Sequence, residues 1–300
     1  MKGKIVFLGT SSAIPTKERN QSSIFFQYKN NFFLFDCGEG TQRQIIKKGL
    51  NFYKINKVFI SHLHGDHTLG IPGLLQTLEF HNKKNIEIYG PKGIKELLKR
   101  IKECFFIGNE MEIRVYEISE NFVLENNDFT IKAIKLNHTI ESYAYSFKEK
   151  DYLKLDKEKL RELGLKNLEI KELIKKGKII KKGKTIRLED LSFLKKGFKF
   201  TYIADTYYTE NIFKIAKESD ILVIECTYFD EKKEAEKYKH LSFEIFKEEL
   251  YPKLVDLGVK KIILTHFSRR FKDLKIFEKA IKENKMRNVI LAYDFLEIKF

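Results

Sequence analysis

The chain has no tryptophan, only three cysteines, and no long unbroken apolar run. Each scarcity excludes something. Cys37, Cys104 and Cys226 are odd in number and widely spaced, so no disulfide framework is expected and a reducing, cytoplasmic setting is. A bilayer span needs a run of about 18 apolar residues or more, so no membrane segment is expected. The opening apolar stretch Ile5-Val6-Phe7-Leu8 is too short for a secretory signal. No short repeat recurs, which argues against a solenoid. What the chain has in excess is positive charge, a formal +15 over 300 residues. That charge fits an anionic partner. It fits equally a lysine-rich, tryptophan-free composition set by genome bias. The apolar share, 43%, supports a sizeable core in one large domain or two small ones.

The densest chemistry lies between Phe59 and Gly70. Here His62-Leu63-His64-Gly65-Asp66-His67 places three imidazoles and a carboxylate within six residues, after the apolar run Val58-Phe59-Ile60. On an extended backbone, residues two apart share a side, so His62 and His64 reach one point. Gly65 permits a turn, and Asp66 and His67 then open a helix, aimed at a second point. Imidazole and carboxylate are the ligands of zinc and similar metals in hydrolytic sites. Buried without partners they would cost solvation energy, and simple packing gains nothing from them.

Strands and helices alternate through both halves, with ligand-type residues recurring at strand ends. That pattern predicts sheets covered by helices, with a site at the strand C-termini. A strand over 129–136 delivers His138, one over 198–204 ends at Asp205, one over 221–225 ends in Glu225, and one over 260–264 is followed by His266. The segment 148–199 differs. It holds 18 lysines and arginines against 9 acidic residues, so a surplus of 9 of the chain's +15 lies in about a sixth of its length. Two short helices ending at Gly164 and Gly177 and a basic hairpin around Lys182-Gly183-Lys184 are expected there. The apolar residues look too few for a core, and the segment reads as a protruding insertion.

Seven ligands follow strands: His62, His64, Asp66, His67, His138, Asp205 and His266. They suffice for two metals sharing one bridge. The expected arrangement has His62, His64 and His138 on one metal, Asp66, His67 and His266 on the other, and Asp205 on both. Two metals about 3.5–4 Å apart can hold a shared hydroxide and clamp a substrate oxygen. His240, oriented by Glu225, is a candidate proton donor to a leaving oxygen.

The first motif resembles the signature of the metallo-β-lactamase superfamily. Along nearly the whole chain the sequence resembles the short form of the tRNase Z family. The similarity is carried by the loop Pro15-x-Lys17-x-Arg19-Asn20, by Phe35-Asp36-Cys37-Gly38-Glu39-Gly40-Thr41-Gln42, and by Ser61 to His67. It continues in His138-Thr139-Ile140-Glu141-Ser142-Tyr143, Ala204-Asp205-Thr206, Glu225-Cys226-Thr227, His240-x-Ser242-x-Glu244 and Thr265-His266-Phe267-Ser268. The resemblance implies an α/β chain folded as an αββα sandwich over residues 1–300, two zinc ions per subunit, and a homodimer acting on precursor tRNA in the cytoplasm, with no membrane role. It implies the seven ligands above, Asp66 also as proton acceptor for the attacking water, and His240 with Glu225 as proton donor. Asp36 matches a residue supporting the metals from behind, and Lys17 and Arg19 match a substrate-binding loop. Residues 148–199 correspond to the flexible arm that grips the tRNA elbow. The chain departs from the family in two places. The arm's Gly-Pro motif is absent from Gly164-Leu165-Lys166-Asn167-Leu168, and the His-Glu-Ala-Thr segment reads Ile224-Glu225-Cys226-Thr227.

The expected function is therefore removal of the 3′ trailer from precursor tRNA. A metal-bridging hydroxide attacks after the discriminator nucleotide, leaving a 3′-hydroxyl and a trailer 5′-phosphate. The rivals are another phosphodiesterase of the same superfamily and an inactive RNA-binding member. The second predicts missing ligands, and all seven are present.

Overall fold

A computed structural model of the chain describes residues 2–107 and 110–300. The chain forms two compact units. One comprises Met1–Leu124, Ile131–Phe147 and Lys199–Phe300; the other comprises Glu125–Thr130 and Lys148–Phe198.

The first sheet is built by β1 (Gly3–Gly9), β2 (Ser23–Tyr28), β3 (Asn31–Phe35), β4 (Lys57–Phe59), β5 (Asn85–Gly90) and β6 (Glu112–Glu117). The chain then enters a second sheet with β7 (Val123–Glu125), β8 (Phe129–Lys135) and β9 (Tyr143–Glu149). After four strands of the smaller unit, the second sheet resumes with β14 (Lys199–Ile203), β15 (Ile221–Glu225), β16 (Ile262–Thr265) and β17 (Val289–Leu291). The last strand, β18 (Glu297–Lys299), returns to pair with β1. The orders are β18-β1-β2-β3-β4-β5-β6 and β17-β16-β15-β14-β9-β8-β7, seven strands each. Strands β3 to β6 run parallel, as do β14 to β17. Parallel neighbours present their C-terminal ends together, and so bring the loops that follow them to one edge.

Side chains alternate across each strand, and the many phenylalanines sort accordingly. Phe25, Phe32, Leu34 and Val58 face one side, packing with Ile45, Leu74, Leu75 and Leu98. These come from the helices α1 (Thr41–Lys47), α3 (Ile71–Phe80) and α4 (Ile94–Phe105). The intervening Phe26, Phe33, Phe35 and Phe59 face the second sheet. Phe26 lies 4.8 Å from Phe147 and 5.0 Å from Phe200 between ring centroids, and Phe59 lies 5.4 Å from Tyr145. On the far side of the second sheet, Ile203, Leu222, Ile224 and Leu264 pack with Phe213, Phe246 and Phe277. Those residues come from α7 (Glu210–Ala216), from the continuous helical run α8 (Phe243–Ile245), π-turn (Phe246–Leu250) and α9 (Tyr251–Asp256), and from α10 (Lys275–Glu283). The result is a four-layer αββα sandwich, as expected, with an aromatic layer between the sheets. Burying each such ring is worth roughly 1.5–3 kcal/mol.

The smaller unit, taken by itself, pairs β10 (Tyr152–Leu155) with β13 (Ser192–Lys195) and β11 (Lys178–Lys181) with β12 (Lys184–Arg187), each antiparallel. Its helices are α5 (Lys157–Glu162), capped by the Asp156 carboxylate, and α6 (Asn167–Lys176), which ends at Gly177 with φ 73°. The expectation that it lacks a core is corrected. Leu160, Leu173, Ile179, Ile186 and Leu191 are buried together. The residues are few, but Ile179 and Ile186 are cross-strand partners on one face of the hairpin, and Leu173 lies on α6 three residues after Ile170, on the same helical face.

Candidate active site

Every predicted ligand follows a strand, and the loops are held by backbone geometry. Asp36, just past β3, has φ 59°, and His266, just past β16, has φ 63°. Left-handed backbone at non-glycine residues is uncommon and clusters at functional sites. Close approach at two glycines locks the first half. A Cβ on Gly38 would meet the Asp66 carbonyl oxygen at 2.4 Å, and one on Gly70 would meet the Gly38 carbonyl oxygen at 2.1 Å. Between them the Cys37 amide donates to the His67 carbonyl at 2.9 Å. Short helix α2 (Gly65–Thr68) carries Asp66 and His67.

The seven candidates converge. Ligand atoms of His62, His64, His138 and Asp205 lie within 4.8 Å of one another, as do those of Asp66, His67, Asp205 and His266. Asp205 belongs to both groups. The orientation of the rings explains what the clusters are for. The Asp36 carboxylate accepts from the Ser61 amide (2.7 Å), the Ser61 hydroxyl (2.8 Å), the Tyr202 hydroxyl (2.6 Å) and His67 Nδ1 (2.7 Å). With its proton given to Asp36, Ser61 Oγ accepts from His62 Nδ1 at 2.9 Å. His138 Nδ1 donates to the Lys239 carbonyl at 2.9 Å. In its neutral form each ring thus spends its proton outward and turns a lone pair inward. His138 Nε2 then sits 3.2 Å from His64 Nδ1, and His67 Nε2 sits 3.3 Å from His266 Nε2 and 3.3 Å from Asp205 Oδ1. His62 Nε2 and Asp205 Oδ1 are buried with no hydrogen-bond partner among the described residues. Acceptors facing acceptors repel unless positive charge lies between them. The donor set, imidazole nitrogens and carboxylate oxygens, is that of zinc.

The electrostatics follow from the same crowding. Burial pushes His62 well down, with His67 adding to it, and burial also lowers His64 and His138. Burial opposes the charge of His67 too, but Asp205, Asp66 and Asp36 outweigh it and hold that ring well above its ordinary value. Burial would raise Asp205, yet His266, His67 and His62 hold it well below the usual carboxylate range. Asp66 behaves likewise, burial being outweighed first by the charge of His67 and then by the close approach of the His266 and His67 rings.

Next to the ligands, His240 Nδ1 lies 2.9 Å from Glu225 Oε1 and 3.8 Å from Asp205 Oδ2. Burial disfavours the charged ring, but Glu225 and Asp205 outweigh it and push His240 up to about 9. Glu225 is fully buried, and its Oε1 also accepts from the Thr206 amide at 2.8 Å. The site opens into a cleft of about 1180 Å³ whose walls include Ile14, Tyr228, Arg269, Arg270 and Lys272. Sequence reasoning does not single out those cations; the only signal is their place directly after His266.

Of the two expected substrate contacts, Lys17 is exposed and Arg19 is buried. Arg19 Nη2 donates to the carbonyls of Ser268 (3.3 Å) and Phe271 (2.7 Å). Its guanidinium therefore ties the loop that carries Arg269 and Arg270, rather than pointing to solvent.

The geometry agrees with what known proteins show. A family model described as Anti-Pycsar protein Apyc1 matches residues 3–169. A ribonuclease Z of Methanothermobacter thermautotrophicus is 36% identical over 285 residues, covering 93% of this chain and 91% of that one. The chain belongs to the ribonuclease Z family. Membership extends over both halves, whereas the Apyc1 family model covers the first half and slightly more. Among solved structures, human tRNase Z, short form, matches with TM-score 0.70 and 25% identity over 99% of this chain and 98% of that one. A metallo-β-lactamase fold protein of Bacillus subtilis matches with TM-score 0.69 and 17% identity over 99% and 98%. The fold is the metallo-β-lactamase fold; family and fold imply dependence on a metal, and His and Asp clusters that could hold one are present here.

Proposed function

We propose that the chain is a zinc-dependent endoribonuclease that removes the 3′ trailer from precursor tRNA, cutting after the discriminator nucleotide. The observation that carries this reading is the inward turn of imidazole lone pairs around Asp205, with His240 and Glu225 alongside. Family membership supports RNA cleavage, and the human structural neighbour, a tRNase, supports tRNA as the RNA.

His62, His64 and His138 would hold one zinc, Asp66, His67 and His266 a second, and Asp205 both. Such a pair supplies Lewis acidity and a water of lowered pKa. The chain's own residues do the rest. Asp66 accepts the proton of the attacking water as its oxygen bonds to phosphorus. The bond from phosphorus to the departing 3′ oxygen breaks, and His240, steered by Glu225, delivers a proton to that oxygen. The products are a tRNA with a 3′-hydroxyl and a trailer with a 5′-phosphate. Asp36 holds His67 and, through Ser61, His62. Lys17, together with the cleft residues Arg269, Arg270 and Lys272, meets phosphates, and Arg19 shapes the loop that presents them.

The basic unit built on residues 148–198 acts as the substrate-gripping arm, with salt-sensitive, sequence-blind contacts to folded RNA. The enzyme works as a cytoplasmic homodimer with two zinc ions per subunit. A rival reading is a phosphodiesterase of the same superfamily that acts on a small substrate. It gives no role to the basic unit.

The test is end-mapping of one precursor tRNA, with and without chelator, alongside hydrolysis of a simple phosphodiester. The proposal expects one chelator-sensitive cut after the discriminator nucleotide, at far higher kcat/KM than for the small ester. Efficient turnover of the ester with no cut in the precursor would favour the rival.

A further inference from the structure

A third group of ligand-type side chains, Glu225, His240 and His266, also has its atoms within 4.8 Å. Its centre is filled by protein. Thr227 Oγ1 lies 2.7 Å from Glu225 Oε2, 2.9 Å from His266 Nδ1 and 3.4 Å from His240 Nδ1. Thr227 and Glu225 are both buried, and His266 is 2% exposed, so water does not compete for these contacts.

A hydroxyl has one proton to give and two lone pairs. Two acceptors compete for it, the Glu225 carboxylate at 2.7 Å and the His266 carbonyl at 3.1 Å, and the nearer, charged carboxylate takes the proton. Thr227 Oγ1 is then left as an acceptor facing His266 Nδ1. That fixes the proton of His266 on Nδ1 and leaves Nε2 as a lone pair. Nε2 points at the cluster, 3.2 Å from Asp205 Oδ1 and 3.3 Å from Asp66 Oδ2. The same carboxylate, through Oε1, takes His240 Nδ1 at 2.9 Å. Glu225 therefore orients His240 directly and His266 through one hydroxyl. The other buried imidazoles have their own outward acceptors: Ser61 for His62, Asp36 for His67 and the Lys239 carbonyl for His138.

We propose that Thr227 is a positioning residue that sets the tautomer and ring orientation of His266, and that links this ligand to the His240–Glu225 pair. The proposal rests on the reading of the clusters as a metal site. Removing an outer partner of a ligating histidine typically lowers metal affinity about 10–100-fold. Thr227→Val keeps the shape and deletes the hydroxyl; Thr227→Ser keeps the hydroxyl and deletes a methyl.

The experiment is competition of zinc between the protein and a chromophoric chelator, for wild type, Thr227→Val, Thr227→Ser and His266→Ala. Thermal unfolding of the metal-stripped proteins shows whether each is folded. The expected result is two zinc ions per wild-type chain, with the weaker of the two loosened about 10–100-fold in Thr227→Val, in the direction of His266→Ala, and restored to within about threefold in Thr227→Ser. Equal zinc affinity in folded Thr227→Val and wild type overturns the role of Thr227 and leaves the metal site standing. So does a folded Thr227→Ser that binds zinc no better than Thr227→Val. A wild-type protein that binds no zinc overturns the metal reading itself. If Thr227→Val does not fold, Thr227→Ser and Thr227→Ala take its place, and equal affinity in those two contradicts the proposal.

Discussion

His67 and His266 stand 199 positions apart in the chain, yet their Nε2 atoms are 3.3 Å from each other. Both also face Asp205 Oδ1, at 3.3 and 3.2 Å. Nothing in packing rewards that arrangement, because buried acceptors in mutual contact cost free energy. A centre of positive charge turns the same contacts favourable. The chemistry proposed for the chain depends on this inversion.

Asp66 combines a ligand position with proton acceptance. Asp66→Ala is expected to lower kcat for precursor tRNA by about 10²–10⁴-fold or more, while the Kd for the same RNA stays within about threefold. Single-turnover cleavage and a binding titration measure the two separately.

His240 and Glu225 act as one device, joined at 2.9 Å. His240→Ala and Glu225→Gln should each reduce kcat about 10²–10⁴-fold with KM little changed. Because the residues act as a unit, the double variant should be scarcely worse than the poorer single one. Additive losses in the double variant would separate them.

The basic unit has natural seams. Because Tyr152 pairs with Lys195, and Leu160, Leu173, Ile179, Ile186 and Leu191 share one core, a deletion that ends inside the unit would cut through both. Replacing residues 152–195 by a short linker is the cleaner change. It should weaken precursor tRNA binding by at least about tenfold and leave turnover of a small phosphodiester within about twofold. A milder variant, Lys178, Lys182 and Lys184 to Gln, should reduce the slope of log K against log salt by about one for each phosphate no longer neutralised. Loss of small-ester turnover in these variants would show that the unit serves the chemistry as well as the grip.

Much of this is legible in the sequence, and the limits have physical causes. His62 to His67 are readable because ligand types crowd a strand end, where packing gives them no reason to be. His138, Asp205 and His266 are readable only as residues following apolar strands; the parallel order β14-β15-β16 brings Asp205 and His266 to one edge, and the bridge of Asn137 to Tyr207 brings His138 beside them. The strand β18 escapes sequence reading because Glu297 to Lys299 is short and polar, and its pairing with β1 is a long-range event. The assignment of Arg19 to substrate rests on a loop resemblance. Whether an arginine faces RNA or two carbonyls of its own chain depends on a loop some 250 residues further on. Thr227 is legible only as part of the Glu225-Cys226-Thr227 motif, and its role is not, since a threonine two residues after a carboxylate is unremarkable until His266 lies against it.

Asp294 offers a pH test outside the cluster. Burial pushes its carboxyl up to about 6, against hydrogen bonds from the Asn20 amide and the Thr10 hydroxyl. A raised folded pKa means that the folded state holds the proton more tightly. The stabilisation is complete below the unfolded value near 4 and is lost as pH rises through about 6. Relative to Asp294→Asn, which does not titrate, the wild type should lose on the order of 2 kcal/mol between pH 4 and pH 7. Urea unfolding of both proteins in chelator across that range measures it.

The most direct measurement is zinc stoichiometry by elemental analysis on the wild type and on Asp205→Ala, with anomalous scattering from zinc-loaded crystals to locate the ions. The expected result is two zinc ions per wild-type chain, one among His62, His64 and His138 and one among Asp66, His67 and His266, with both weakened in Asp205→Ala. A wild-type chain that holds no zinc there, or an Asp205→Ala chain that holds both ions as tightly as before, would contradict it.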